Sequence, residues 1–438
     1  MATLGDRASQ ALRFDELDGR FDAWLLCIAL GLVGLGVVMV ASSSMPYATS
    51  NGVGAFYYLN RHLMFLALGL VLALTLMNTE MKRIEQHSQL LLLLCFVLLA
   101  AVFVPGLGKT VNGARRWLNL GLSNFQAVEA VKLMLIVWLA SYLVRHRDAI
   151  GDSWKTLIKP LAVASALVGM LLLQPDFGSS ALLLAITGGM VWLGGARIRS
   201  LLLPGLAVLA LMSVIVVLEP YRVLRLTSFS DPWANAFDSG YQLVQALIAI
   251  GRGEATGVGL GGSILKLDYL PEAHTDFIFA VTAEEFGFIG VCIVIALFAL
   301  FTWRALRTGL RCMELRQPFN GYVAFGIGLW ISLQAFVSMG VNLGILPTKG
   351  LTLPLVSSGG SSVLMTCAAL GLLLRVSYEL ERAERQVARR LDAGRDSALE
   401  DAGDESPRPV HAPRAAVPAN VAARVGRGRI EPRLGSVR

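Results

Sequence analysis

Between Ala23 and Tyr378 the chain returns again and again to runs of 17 to 24 apolar residues with few charges inside them. A bilayer core about 30 Å thick is crossed by a helix of about 20 such residues. Inside lipid only helices and closed barrels satisfy their own backbone groups, so uninterrupted runs of this length leave the helix as the solution. The runs are 23–43, 62–78, 88–105, 126–144, 157–174, 178–194, 200–218, 276–299, 321–342 and 361–378. Gln174-Pro175-Asp176 separates the fifth from the sixth, because proline and a turn-forming carboxylate break a helix there. The expectation is an all-α polytopic integral membrane protein with ten transmembrane helices.

Charge supports this reading. The chain has 438 residues, of which 16% are charged and 55% hydrophobic. A soluble domain carries roughly 25% charged residues. Of the 38 Lys or Arg and 31 Asp or Glu, 22 lie from Val376 onward, so the rest of the chain is poorer still. Three regions are expected: a cytoplasmic N-terminal segment 1–22, a ten-helix domain 23–378, and a cytoplasmic tail 379–438. In the tail, helix continues from Tyr378 to Leu391, and the Ala/Pro/Arg/Gly-rich remainder is expected to be largely disordered. The N-terminal stretch does not read as a signal peptide: Asp15, Glu16, Asp18 and Asp22 precede the first run and no small-residue cleavage site follows. Five scattered cysteines, Cys27, Cys95, Cys292, Cys312 and Cys367, offer neither a disulfide framework nor a cysteine metal site.

The net charge of +7 is not a nucleic-acid signature, because the basic residues cluster between apolar runs. With both termini cytoplasmic, the inner loops and N-terminal segment hold 15 Lys or Arg and the longer outer loops nine. That excess follows the positive-inside rule. The outer face then carries the loop 106–125, the long segment 219–275 and the loop 343–360. The long segment is partly apolar from Gln242 to Ile250 and then Gly-rich, so it is expected to be partly helical and to pack on the membrane surface.

Four places hold residues suited to chemistry. In Leu270-Pro271-Glu272-Ala273-His274-Thr275-Asp276-Phe277-Ile278-Phe279, three ionisable groups stand where an outer loop enters an apolar helix. A carboxylate there can take a proton from an attacking hydroxyl or hold a divalent cation; equally, Thr275 or Asp276 can simply cap the helix. Glu272 and His274 match no established metal spacing. In Asn112-Gly113-Ala114-Arg115-Arg116-Trp117, with Lys109 before it, the arginines can fork onto phosphate or anchor the loop at the interface. Glu129 and Lys132 share one face of the fourth run, as an intramembrane functional pair or as charges that neutralise each other. Last, Leu346-Pro347-Thr348-Lys349-Gly350-Leu351-Thr352-Leu353-Pro354 and the run Ser357–Ser362 form a tightly turned outer loop. Its Lys349 can meet an anionic headgroup or merely be solvated. Glu284 and Glu285 follow two turns into the eighth run, one of them in roughly the sector of Asp276.

No P-loop, no GxGxxG after a strand, no HExxH and no GxSxG occurs, which disfavours an ATP-driven pump or a nucleotide-sugar enzyme with the usual soluble domain. No nucleotide cofactor is expected. No fixed-period repeat or matched pair of broken helices marks an inverted-repeat transporter.

These same residues carry a family resemblance. Asn112–Trp117, Gln174-Pro175-Asp176-Phe177-Gly178, Tyr221–Trp233, Gly240-Tyr241-Gln242, Gly257–Gly262, Leu270–Phe279, Glu284-Glu285-Phe286-Gly287, Leu346–Pro354 and Ser357–Ser362 occur in one order over about residues 20–380. In this the sequence resembles the SEDS family (shape, elongation, division and sporulation proteins), and Thr348-Lys349-Gly350-Leu351-Thr352 resembles its division type rather than its elongation type. Two places depart from the family pattern. Gln126-Ala127-Val128-Glu129 stands where members usually read Gln-Pro-Ser/Ala-Glu, and Ser357-Ser358-Gly359 where they commonly read Ser-Tyr-Gly.

The resemblance implies ten transmembrane helices and a peptidoglycan glycosyltransferase in the bacterial inner membrane at the division septum. Its substrates would be lipid II and the lipid-linked nascent glycan. Its partners would be a class B penicillin-binding protein transpeptidase and other divisome proteins. The family's catalytic aspartate falls on Asp276, and Lys132 and Lys349 fall on positions regarded as functionally important. The donor sugar is α-linked to a lipid pyrophosphate and the product is β-1,4-linked, so the reaction inverts. A glycosidase uses two carboxylates, one to protonate its leaving group. A pyrophosphate leaves without a proton if cations meet its charge, so one base plus Arg, Lys or a divalent cation such as Mg²⁺ suffices. On that expectation Asp276 is the base, and Arg115, Arg116 and Lys349 hold the pyrophosphate, with Lys132 and Glu129 as further substrate-binding candidates. Asp276 would also be the ligand if a divalent cation is used. The alternatives are a lipid II flippase, with Glu129 and Lys132 lining its path, and a non-enzymatic scaffold of the divisome.

Overall fold

The computed structural model describes residues 19–404, apart from 112, 120, 122, 152, 218, 219 and 349. The chain divides into two compact units, Met1–Gln386 and Val387–Arg438. Within the first, helices α1 (Ala23–Ser50), α2 (Tyr57–Met77), α3 (Met81–Gln86) and α4 (Ser88–Ala101) precede a small sheet. The sheet consists of β1 (Gly108–Val111), β2 (Ala114–Asn119) and β3 (Asn124–Gln126). There follow α5 (Ala127–Arg145), α6 (Trp154–Leu173), α7 (Phe177–Leu193), α8 (Ile198–Val217), α9 (Pro220–Ser230) and α10 (Tyr241–Gly253). The chain continues through α11 (Ile278–Glu314), α12 (Pro318–Asn342) and α13 (Gly360–Asp404), the last of which runs into the second unit.

Every apolar run falls on a helix. Eight of the described helices are long and apolar enough to cross a membrane, while α4 and α7, with 14 and 17 residues, are shorter apolar helices. The protein is a polytopic membrane protein, and α9 and α10 supply the helical part expected of the segment 219–275. The fold is mostly helical, as expected, with one addition. The loop 106–125 contains the three-stranded antiparallel sheet in the order β1-β2-β3. Asn112-Gly113 between alternating residues is a sequence that favours a tight hairpin, and Gly113 has φ +77°. Leu118 faces the core while Asn119 beside it is exposed.

α5 is buried along almost its whole length, from Ala127 to Leu143, and packs against α12, so the centre of the bundle lies here. Outer helices such as α2 and α8 bury little and expose Leu, Val and Met, as a lipid-facing surface requires. α11 and α12 come close through Gly309 and Gly321: a Cβ on Gly309 would lie 2.5 Å from the Phe325 ring, and one on Gly321 would lie 3.0 Å from the Gly309 carbonyl. Such small residues let helices approach where lipid offers no hydrophobic drive.

Contacts between helix ends assign them to two faces. Asp22 pairs with Arg304, and Phe21 lies 5.1 Å from the Tyr378 ring, so the start of α1 meets the far end of α11 and the middle of α13. On the other face Ser50 Oγ donates to Asp268 at 3.1 Å, and the Gln126 amide donates to Ser361 Oγ at 2.9 Å.

Candidate active site

Asp276 stands two residues before α11, in a turn closed by the amides of Thr275 and Phe277, which both donate to the Glu272 carbonyl. It does not cap the helix. The N-cap residue is Phe277, with no side-chain capping bond. The capping comes from α12 instead: Asn342 Oδ1 accepts the Ala280 amide at 3.1 Å, and Asn342 Nδ2 donates to the Asp276 carbonyl at 2.9 Å and to the Ser338 carbonyl at 2.8 Å. One buried amide thus starts the helix and fixes the backbone of Asp276, which frees its carboxylate from that task. Thr275 is turned to Glu272, its hydroxyl donating to Oε2 at 2.7 Å.

The Asp276 carboxylate faces the late loop, 343–360. A Cβ added to Gly350 would lie 3.1 Å from Oδ2, so glycine there lets the loop backbone come close. Among the described residues no donor makes a hydrogen bond to this carboxylate. Burial first, and then the charge of Glu272, push its pKa up to about 7 against the opposing pull of Arg225. Arg225, on α9, donates to the Thr348 carbonyl at 3.2 Å and so ties the segment 219–275 to the loop that Asp276 faces. His274 is buried, with its ring 4.7 Å from Tyr47 and 5.0 Å from Tyr58, and burial lowers its pKa. Its carbonyl accepts the Ser358 amide at 3.0 Å, a second stitch between the two loops.

The other candidates separate into groups. Lys132 Nζ donates to Glu129 at 2.9 Å and to Gln334 Oε1 at 2.7 Å, and lies 5.0 Å from the centre of the Trp330 ring. Both charges are buried, and Gln334 continues the network by donating to the Thr352 carbonyl at 3.0 Å. The pair therefore neutralises itself and also braces the late loop. Arg115 donates to the Val104 carbonyl at 2.9 Å, while Arg116 donates to the carbonyls of Gln174 at 3.1 Å and Pro175 at 2.5 Å. Both arginines are engaged in holding the sheet to neighbouring turns, not in contact with Asp276. Lys349 lies outside the described residues. No three His, Cys, Asp or Glu side chains gather to hold a metal among the described residues.

Glu284 and Glu285 point to other partners than Asp276. Glu284 takes Arg252 at 2.5 Å, the Ser263 hydroxyl at 2.5 Å and the Ile264 amide at 3.0 Å. Glu285 takes Lys266 and the Ser42 hydroxyl, each at 2.6 Å. Just beyond them α11 breaks at Gly287, whose φ is +63°. The backbone exposed by the break bonds to the preceding loop. Val258 and Gly259 donate to the carbonyls of Glu284 and Glu285 at 3.0 and 3.1 Å, and Phe288 and Ile289 donate to those of Glu254 and Ala255 at 2.9 and 3.2 Å. Gly257 has φ +83°, and a Cβ there would sit 2.1 Å from the Glu285 carbonyl oxygen. The Gly-rich stretch and the Glu-Glu-Phe-Gly stretch are two halves of one joint.

Sequence reasoning missed Asn342 and Arg225. An amide in an apolar span is a signal in itself, because it must find partners there; Arg225 had none beyond its place in the segment 219–275.

Comparison with known proteins agrees with this architecture. The family model described as a cell cycle protein of the FtsW, RodA and SpoVE group matches residues 23–382. A probable peptidoglycan glycosyltransferase FtsW of Xanthomonas oryzae is 62% identical over 384 residues, covering 88% of this chain and 78% of the relative. The protein of that name from Thioalkalivibrio sulfidiphilus is 47% identical over 364 residues, covering 83% and 91%. Among solved structures, a chain of a peptidoglycan synthase complex that coordinates polymerization and crosslinking is 33% identical with a TM-score of 0.69, covering 82% of this chain and 98% of that one. The rod shape determining protein RodA of Thermus thermophilus is 29% identical with a TM-score of 0.61, covering 82% and 96%. The chain therefore belongs to the FtsW, RodA and SpoVE family of cell cycle proteins, the SEDS family, and to its cell-division, FtsW-type branch.

Proposed function

We propose that the protein is a peptidoglycan glycosyltransferase that polymerises lipid II into β-1,4-linked glycan strands, with inversion and release of undecaprenyl pyrophosphate. The observation that carries this reading is the Asp276 carboxylate, left without a hydrogen-bond partner among the described residues and pushed to a pKa of about 7 at the mouth of α11. A base poised near the working pH is the most effective at taking a proton in the transition state. Asp276 removes the proton from the acceptor 4-hydroxyl as that oxygen attacks the anomeric carbon from the side opposite the pyrophosphate. The C–O bond to the pyrophosphate breaks, and its charge is met by cations. Arg225 stands near the carboxylate, and Lys349 precedes Gly350 in the sequence, so these two are the basic candidates for that charge. Arg115 and Arg116 act at one remove, by holding the sheet. Glu129 and Lys132 brace the late loop from within the bundle.

Asp276 and its electrostatic neighbour Glu272 are the carboxylates that would hold a Mg²⁺ ion, which can bind through only one or two protein carboxylates. Such an ion would supply positive charge to the departing pyrophosphate. The relatives' names support the activity, and the complex that coordinates polymerization and crosslinking supports a class B penicillin-binding protein as partner. The setting is the bacterial inner membrane at the septum, with both termini cytoplasmic and Asp276 on the outer face. The transport reading needs Glu129 and Lys132 on an open path, whereas they are buried against each other.

The test is polymerisation of purified lipid II by the reconstituted protein, with and without the transpeptidase and with a chelator control. Asp276→Asn is expected to lose about 10²–10⁴-fold in rate. Full activity of that variant would remove Asp276 from the chemistry, and no strands from the wild type with its partner present would remove the polymerase reading itself.

A further inference from the structure

On the face that holds the start of α1, that start, the far part of α11 and the middle of α13 enclose a cleft of about 200 Å³ far from Asp276 in the fold. Arg20, Arg304, Arg307 and Arg311 line it together with Asp22, Glu381 and Glu384. The acids are already committed. Asp22 takes Arg304 at 2.5 Å, Glu384 lies 3.6 Å from Arg311, and Glu381 takes Arg385 at 3.0 Å. Arg20 and Arg307 are both exposed, and among the described residues neither has an acid partner. The guanidinium of Arg307 lies 5.2 Å from the centre of the Trp303 ring. Trp24 lines the cleft and Trp303 lies under the Arg307 that lines it; the two are 71% and 54% exposed, although tryptophan is otherwise largely buried in folded chains. Exposed tryptophan beside arginine at the end of a spanning helix belongs at the headgroup level of a bilayer. Further along the same helices, Leu26 and Leu30 of α1 and Leu300 of α11 are exposed, giving an apolar flank next to the charged cleft.

We propose that this cleft binds the phosphate headgroup of an anionic phospholipid. Arg20 and Arg307 hold the phosphate oxygens, which the planar guanidinium fork suits. The two tryptophans cover the glycerol level, and the acyl chains lie along the exposed leucines. A basic pocket between spanning helices at the membrane surface is the kind of site that takes such headgroups. A free anion would leave the tryptophans and leucines without a role. The inference depends on the chain spanning a membrane and not on the polymerase reading, so the two can fail separately.

The experiment is native mass spectrometry of the detergent-purified full chain, titrated with phosphatidylglycerol and separately with phosphatidylcholine and glycerol phosphate. Both faces of the protein are accessible in detergent, so the outcome does not depend on orientation. The wild type is expected to retain phosphatidylglycerol over phosphatidylcholine, and glycerol phosphate is expected not to displace it. The Arg20→Gln/Arg307→Gln variant is expected to bind phosphatidylglycerol roughly 10- to 30-fold more weakly. The Arg20→Lys/Arg307→Lys variant, which keeps the charge and loses the fork, is expected to recover only part of the binding. Thermal unfolding checks that the variants fold, and Arg307→Gln alone carries the comparison if the double variant does not. Equal retention of phosphatidylglycerol by wild type and the glutamine variant, or phosphatidylcholine held as tightly, overturns the proposal, and displacement by glycerol phosphate reassigns the cleft to a soluble anion.

Discussion

Asp276 works as a base only once its carboxyl has lost its proton, and its surroundings oppose that loss. Burial and the neighbouring Glu272 raise the pKa to about 7, with Arg225 pulling the other way. The polymerisation rate is therefore expected to fall about tenfold per pH unit below pH 7 and to level off above it. Glu272→Gln should move that limb to lower pH and Arg225→Gln to higher pH; a pH–rate profile indifferent to both would detach the limb from Asp276. The same shift has a consequence for stability. A carboxyl whose pKa is higher folded than unfolded costs nothing below the unfolded value of about 3.9, and destabilises the fold increasingly as pH rises toward 7. Asp276→Asn is thus expected to melt no lower than the wild type at pH 8 while losing activity, which separates a catalytic defect from unfolding. At this scale the sequence revealed the acid, because an ionisable residue at the edge of an apolar run stands out. It did not reveal Asn342, the residue that holds the backbone of Asp276, because the two are 66 positions apart and only the packing of α12 on α11 joins them.

The helices were legible as elements because each apolar run had to satisfy its own backbone. The sheet was not, although Asn112-Gly113 carries a hairpin signal; Arg115 and Arg116 drew the reading toward phosphate, whereas the fold uses them to fasten β2 to carbonyls at Val104, Gln174 and Pro175. The break in α11 was equally hidden, since an isolated glycine in an apolar run reads as tolerated. Gly257→Ala is expected to cost at least 1–3 kcal/mol from its positive φ, with the clash against Glu285 added. Thermal unfolding of the purified protein would show this, and an unchanged melting temperature would mean that the joint yields. In α5, Lys132→Met leaves Glu129 buried without its partner and is expected to cost about 3–5 kcal/mol. The double variant Glu129→Gln/Lys132→Met should recover most of that loss. A double variant as unstable as the single one would shift the role of Lys132 from the pair to Gln334.

For the molecule as a whole, the distribution of lysine and arginine proposes an orientation that the contacts between helix ends make testable with two residues. Asn51, just after α1, and Glu314, at the end of α11, belong to opposite faces. With both termini cytoplasmic, a membrane-impermeant maleimide is expected to label Asn51→Cys in intact cells and Glu314→Cys only after permeabilisation. The reverse pattern would invert the topology. The joint at Gly287 bears on how such a chain enters the membrane at all. Two carbonyls and two amides of this span find partners in residues 254–259, and an unpaired backbone group in hydrocarbon costs several kcal/mol. Those partners precede the span in the chain and so leave the ribosome before it. The order of synthesis thus delivers the missing hydrogen-bond partners ahead of the helix that needs them, so this span can be completed at the moment it is inserted.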